Sequence, residues 1–256
     1  MLRRTCRNLF LLLVMSLGGL GCQAESLPDL IERAKPSVLM VGTYSATDSP
    51  RFGFRGSGFI VGNGRQAVTN AHVLPGPEQF STERKLVIQV RDAAGKWVMR
   101  QVSRTRVNAA MDLALLTFEG EPGPPLQLAE LAAREGESIA IMGFPIAGAL
   151  GFSTVTHAGI ISALTPVFQP MPGPGALTGR AIRQAREEKF NLYQLDAVAY
   201  PGNSGGPVFS TTSGQVIGVI NMVLARGSKE SALSNPTGIS YAIPSAHVVE
   251  LMRTSD

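Results

Sequence analysis

The feature that most limits the fold of this chain is its punctuation. Twenty-eight glycines and 17 prolines are spread through 256 residues. Glycine costs backbone entropy inside a regular element, and proline removes a donor and blocks helix interiors. Long amphipathic helical patterns are few, and what remains is a series of short apolar runs. Ser37–Tyr44, Gly56–Val61, Gln66–Asn70, Leu86–Val90, Lys96–Val107 and Met111–Phe118 read as strands of one half. Ser138–Gly143, Ser153–Leu164 (a strand pair or one long bent strand), Leu192–Ala199, Val208–Ser210, Gln215–Leu224 and Gly238–Ile243 read as strands of the other. Asn63-Gly64 and Asp92-Ala93-Ala94-Gly95 carry hairpin-turn chemistry. Two helices are expected. One covers Leu27–Ala34 and stops at Pro36; the other follows Ser245 as its cap, with Val248, Val249, Leu251 and Met252 on its apolar side. At 44% hydrophobic and 16% charged residues the composition is globular, and the length suits one large all-β domain or two small ones.

The first 24 residues read as a targeting segment. Arg3, Arg4 and Arg7 precede an apolar stretch, Leu9–Leu17, which is too short for a mature transmembrane helix and is followed by small residues. Two cleavage sites compete. Cys22-Gln23-Ala24 is a small-x-small site that would leave a soluble product starting at Glu25. Gly21-Cys22 resembles a bacterial lipoprotein box, imperfect because Gly19 stands where Leu is usual, and makes Cys22 the lipidation candidate. Either route predicts an exported protein, periplasmic or tethered to a membrane only through lipid at Cys22. Without Arg3, Arg4 and Arg7 the 23 basic residues fall to 20 against 19 acidic ones, so the mature charge offers no case for nucleic-acid binding. Both cysteines, Cys6 and Cys22, fall in this segment, which leaves the mature domain without a disulfide.

Three places carry candidate chemistry. Tyr200-Pro201-Gly202-Asn203-Ser204-Gly205-Gly206-Pro207 sets a serine in a tight, shaped loop able to expose a hydroxyl and aim backbone N–H groups at one spot. His72 ends a strand just before the Pro75-Gly76-Pro77 loop, and strand ends are where functional side chains are commonly presented. Asp112 opens an apolar strand, where a carboxylate needs a partner or water. Serine is a weak nucleophile unless an imidazole takes its proton and a carboxylate holds that imidazole in one tautomer. His157 and His247 are scattered, read as structural, and form no metal-ligand cluster; no cofactor is expected.

Thr69-Asn70-Ala71-His72-Val73, Asp112-Leu113-Ala114-Leu115 and Gly202-Asn203-Ser204-Gly205-Gly206-Pro207 together resemble the three triad motifs of trypsin-like serine proteases, and most closely the HtrA/DegP branch. Gly56-Ser57-Gly58-Phe59-Ile60, Gly159–Ala163, Leu195-Asp196-Ala197 and Tyr241–Ser245 also sit where that branch has similar segments. The resemblance implies two six-stranded antiparallel β-barrels of the chymotrypsin-like kind. Residues 25–256 would form the protease domain: an N-terminal barrel at about 37–120, a C-terminal barrel at about 126–244, and a C-terminal helix at 245–253. It implies Ser204 as nucleophile, His72 as general base and then acid, and Asp112 as the group that orients His72. The N–H groups of Gly202 and Ser204 would form the oxyanion hole. The expected partner is a polypeptide substrate, exported or misfolded. The alternative is a catalytically weak binding or chaperone-like module that keeps the fold.

Departures from the family pattern add expectations. Asn203 stands where digestive relatives carry the Asp that pairs with a new amino terminus, so no such activation is expected. Val198, six residues before Ser204, offers no carboxylate to a basic side chain. The pocket is expected to be apolar, lined by Val198, Ala199, Ile220, Asn221 and Met222, and to favour aliphatic or other apolar residues before the scissile bond. The branch usually carries a PDZ domain; here the sequence ends at Asp256, so peptide-triggered control in cis is not expected. Residues 45–55 read as a polar, Gly/Pro-containing loop and residues 165–190 as an insertion, and both are the candidates for regulation or for gating the cleft.

Overall fold

A computed structural model describes residues 25–76, 84–145, 151–166, 190–221 and 238–254. Within it, helix α1 (Leu27–Ala34) leads through a 3₁₀ turn at Lys35–Ser37 into strand β1 (Val38–Tyr44). Ser26 caps α1 by accepting from the Asp29 N–H, and Pro at its start suits a position that needs no donor. Strands β2 (Phe52–Val61), β3 (Gln66–Asn70), β4 (Lys85–Arg91), β5 (Trp97–Asn108) and β6 (Leu113–Phe118) complete the first half. Strands β7 (Ser138–Gly143), β8 (Val155–Pro166), β9 (Asn191–Asp196), β10 (Pro207–Ser210), β11 (Val216–Asn221) and β12 (Ile239–Pro244) form the second, and helix α2 (Ser245–Arg253) follows. Each half closes into an antiparallel barrel, in the orders β1-β2-β3-β6-β5-β4 and β10-β11-β12-β9-β8-β7. The expected architecture of two six-stranded barrels with a C-terminal helix is therefore the one observed. Closure leaves no free sheet edge.

The barrels pack because several strands are apolar on both faces. In β1, Leu39 and Val41 point into the N-terminal barrel with Ile60, Ile88 and Leu116. Val38 and Met40 point outward, into a layer shared with Phe59, Leu113, Leu115, Met142, Phe144, Phe209 and Val219. That layer also takes Leu30 of α1 and Val248 and Leu251 of α2. A third cluster, with Ile139, Ile141, Leu195, Val208 and Ile220, fills the C-terminal barrel. Phe59, Phe144 and Phe209 are among the largest fully buried side chains, and truncating one of that size to Ala costs roughly 3–5 kcal/mol. This double burial explains continuous runs such as Leu113–Leu116, where a half-exposed strand would alternate.

Three expectations need correcting, and one open alternative is resolved. The polar segment 45–55 is not all loop: Phe52–Arg55 belong to β2, because Phe52, Gly53 and Phe54 pair with Tyr44, Thr43 and Gly42. Of the two readings of Ser153–Leu164, the single bent strand is the one observed: β8 shifts register at Ile161/Ala163. That strand runs to Pro166, so residues 165 and 166 are not part of an insertion; residues 167–189 lie outside the described residues. Ser245 is the first residue of α2 and not its cap, since its hydroxyl donates to the Ala129 carbonyl across the packing layer (3.3 Å).

Candidate active site

His72 lies in a single 3₁₀ turn, Ala71–Val73, at the end of β3, and Asp112 immediately precedes β6. β3 and β6 are hydrogen-bonded neighbours with Asn70 opposite Leu113, so pairing alone brings the two residues together. His72 Nδ1 lies 2.6 Å from Asp112 Oδ2, and the His72 backbone N–H donates to Oδ1 (2.9 Å). The Asp112 carbonyl accepts from the Ala71 N–H (3.1 Å) and from the Asn70 amide (3.1 Å). Asp112 has φ +49°, the left-handed conformation that Asp tolerates better than most residues. Strain of this kind persists where surroundings over-determine it, as the four hydrogen bonds just named do here. With Asp112 accepting, His72 carries its proton on Nδ1 and leaves Nε2 free to receive one. The two side chains are 29% and 27% exposed, so the pair opens to solvent on one side.

The 200–207 stretch is shaped by its backbone. The Asn203 N–H donates to the Tyr200 carbonyl (3.0 Å), closing a turn around Pro201 and Gly202. Gly202 has φ +103°, which with Pro before it is the type II turn geometry. The N–H groups of Gly205 and Gly206 donate to Ile220 and Asn203 carbonyls (3.0 and 2.9 Å). Those of Gly202 and Ser204 meet no acceptor among the described residues. Gly205 has φ +85°, and a side chain there would strike the Ser57 carbonyl and the Thr69 hydroxyl. The loop thus lies against β2 and the end of β3, two residues from His72.

Ser57 of β2 binds this loop to the N-terminal barrel. Its N–H donates to the Ser204 carbonyl (2.9 Å), its hydroxyl to the Gly202 carbonyl (2.6 Å), and the same hydroxyl accepts from the Phe144 N–H (3.0 Å). The Thr69 hydroxyl donates to the Ser57 carbonyl (2.8 Å). Ser204 itself is 6% exposed. No hydrogen bond joins His72 to Ser204 among the described residues. Asn203 is fully buried, and neither atom of its amide finds a hydrogen-bond partner among the described residues.

Of the expected pocket residues, Asn221 is placed otherwise than anticipated. Ala199 and Ile220 belong to the core of the C-terminal barrel, and Val198 is half-buried. Asn221 is fully buried and donates its amide to Asp112 Oδ2 (2.7 Å), so its side chain belongs to the surroundings of the acid and not to an apolar wall. Met222 and Cys22 lie outside the described residues. Sequence reading missed the roles of Ser57 and Asn221. The only local sign of the first was a small residue between two glycines; the second contact spans 109 positions. Among the described residues no three His, Cys, Asp or Glu side chains lie together as a metal site.

The trypsin-like peptidase domain profile matches residues 56–219. A putative serine protease, HhoA, from Synechocystis sp. is 31% identical over 196 residues, covering 76% of this chain and 41% of that protein. A probable periplasmic serine endoprotease, DegP-like, from Marinomonas sp. is 30% identical over 192 residues, covering 74% of this chain and 33% of that one. The chain thus spans less than half the length of either relative. Among solved structures, the serine endoprotease from Yersinia pestis superposes with a TM-score of 0.57 at 25% identity, over 87% of this chain and 64% of that one. Deg5 superposes with a TM-score of 0.61 at 24% identity, over 87% and 90% of the two chains. The chain belongs to the trypsin-like peptidase family, and its likeness runs to the HtrA/DegP branch.

Proposed function

We propose that this protein is a serine endopeptidase. The observation that carries the reading is the His72–Asp112 pair, bonded at 2.6 Å, beside a serine set between two uncommitted backbone N–H groups. Ser204 Oγ attacks the carbonyl carbon of a peptide bond, and His72 Nε2 takes the hydroxyl proton. Asp112 holds the imidazole in the tautomer that can accept it and offsets the charge that forms. The oxyanion develops toward the N–H groups of Gly202 and Ser204, donors worth on the order of 3 kcal/mol each in the transition state. His72 then returns the proton to the leaving amine. Water repeats the sequence on the acyl-enzyme.

The substrate class we infer is an unfolded or misfolded exported polypeptide with an apolar residue before the scissile bond. Val198 supplies no carboxylate at the position where basic specificity would need one. Export rests on the basic and apolar segment before Glu25 and on the periplasmic DegP-like relatives; Cys22 remains the candidate for lipid attachment. No helix among the described residues is long and apolar enough to cross a membrane. The absent His72–Ser204 hydrogen bond favours a second reading, a protease-fold binding module of low activity. A fluorophosphonate probe separates the two: labelling of the chain and its loss in Ser204→Ala support the peptidase, and an unlabelled, folded chain supports the module. Mapping cuts in an unfolded protein tests specificity, and a preference for Arg or Lys overturns the apolar pocket.

A further inference from the structure

His157 takes no part in the chemistry above, yet it touches the part of the loop that matters most. It sits near the start of β8, opposite Ile141 of β7. Its ring lies 5.8 Å from that of Tyr200, inclined at 47°. Tyr200 is the first residue of the type II turn, and its carbonyl receives the Asn203 N–H that closes that turn. The Nε2 atom of His157 is buried and has no hydrogen-bond partner among the described residues. A neutral imidazole tolerates this, because the proton can reside on Nδ1 and leave Nε2 bare. An imidazolium cannot: it must place an N–H donor at a buried point with no acceptor.

We propose that His157 is a positioning residue that backs Tyr200 when neutral, and that its protonation loosens the Tyr200–Asn203 turn and so withdraws the Gly202 N–H from the oxyanion site. The inference rests on the peptidase reading for its effect on turnover. Burial alone holds the His157 imidazole below the usual histidine range, so the ring is neutral at neutral pH and its charging is an acid event. Among the described residues no carboxylate or other acceptor meets Nε2 to relieve the cation. Tyr200 is the titratable group facing it from the loop. β7 (Ser-Ile-Ala-Ile-Met-Gly) and residues 151–156 contain no titratable side chain. On β9 the titratable groups are Tyr193 and Asp196, and Asp196 pairs with Ile160, three residues farther along β8.

The sign follows. A histidine whose proton affinity is lower in the fold than in the open turn adds stability to the closed turn above its ordinary titration range. That stability is lost as pH falls through the lowered range. Protonation of His157 thus adds one proton to the acid loss of activity.

The test compares the wild-type chain with His157→Phe, which keeps a ring against Tyr200 and cannot be charged, and with His157→Gln. In the wild type the acid limb of log kcat/KM is expected to approach a slope of two per pH unit; in His157→Phe it falls to one, with activity near pH 8 kept within about threefold. An unchanged limb in a folded His157→Phe overturns the proposal. A second measurement does not depend on turnover. The amide ¹H–¹⁵N resonance of Gly202 is followed against pH in Ser204→Ala, with the His157 ring signals as reference. The amide should titrate with the His157 midpoint, and this response should vanish when His157→Phe is added. A Gly202 amide that ignores His157 sinks the inference even if the enzyme is active. If the amide responds and no hydrolysis is found, the positioning role stands and the peptidase reading fails.

Discussion

The two barrels specify their contributions to the site in different ways. The N-terminal barrel supplies His72 and Asp112 as a closed set of side-chain bonds: imidazole to carboxylate at 2.6 Å, backbone N–H to carboxylate at 2.9 Å, and Asn70 to the Asp112 carbonyl at 3.1 Å. The C-terminal barrel supplies Ser204 and its flanking N–H groups through backbone shape, a turn at Gly202 and close contact at Gly205. Each barrel also lends one polar side chain to the other's half. Asn221 of β11 reaches Asp112, and Ser57 of β2 reaches Gly202. In the first half residue identity is critical. In the second, what matters is which residues leave the backbone free to adopt one path.

The largest break in this comparison should come from Asp112→Asn. Asn tolerates the left-handed conformation at φ +49° about as well as Asp, so the backbone should hold and only the charge and acceptor pattern change. Loss of the anion and of the correct histidine tautomer costs on the order of 10⁴ in kcat in enzymes using this arrangement. The same order is expected here at neutral pH, in burst kinetics on an activated ester, with thermal stability little altered. A drop below tenfold would mean that His72 does not depend on Asp112, and the identity-driven account of this half would be wrong.

Asn203→Asp probes the other half. The side chain is fully buried with both amide atoms unpartnered, and Gly143 backs directly onto its Oδ1. A carboxylate in that space is an uncompensated buried charge, which costs roughly 3–5 kcal/mol. Denaturant unfolding near pH 8 should show a loss of that size, recovered progressively as pH falls through the raised titration range of the buried carboxyl. Stability unaffected by the substitution would show that a cation reaches the site, and would reopen the amine-pairing activation excluded on sequence.

How much of this was legible follows the same division. His72, Asp112 and Ser204 stood out because each is a reactive residue at a strand boundary, in an informative local setting. The barrels were legible because turn signals fall between short apolar runs. Ser57 was not, since its three partners in the 200–207 loop and after β7 are set by the docking of one barrel on the other; its bond to Gly202 spans 145 positions. Arg55 behaves alike. Its guanidinium donates to the Val73 and Leu74 carbonyls (2.6 and 3.0 Å), steadying the chain just after His72, yet in sequence it looked like loop. Phe52–Arg55 form a strand only because β1 pairs with them, a cross-strand fact that local pattern does not contain. The bulge in β8 belongs to the same class.

Ser57→Ala tests the bridge between the halves. It removes the donor to the half-buried Gly202 carbonyl and the acceptor for the buried Phe144 N–H, and the latter is left short of a partner at about 1–3 kcal/mol. The two backbone bonds of Ser57 survive, so the fold should persist. The diagnostic is the split between parameters. kcat should fall tenfold or more, because the turn carrying the Gly202 N–H is less fixed, while KM changes little. A rise in KM with kcat unchanged would place Ser57 in substrate binding and not in shaping the oxyanion site.

The smallest effect is expected far from the chemistry, where α1 meets the C-terminal barrel. Arg33 donates to both Glu25 oxygens (2.7 and 2.6 Å) and to the Gly214 carbonyl (2.9 Å). Hydrogen bonding from Arg33 lowers the Glu25 titration below the ordinary carboxylate range. A carboxyl depressed in the fold contributes stability that is complete above its unfolded titration range and is lost as pH falls through the folded one. The Arg33 side chain is 47% exposed, so solvent screens the pair and its contribution should stay within about 1 kcal/mol. Arg33→Ala should therefore lower thermal stability slightly at pH 7, less at 0.5 M salt, and less again as acid protonates Glu25, with kcat unchanged throughout. Activity loss in this variant would contradict the division drawn here, because it would couple the docking of α1 to a loop that Ser57 and the glycines hold without it.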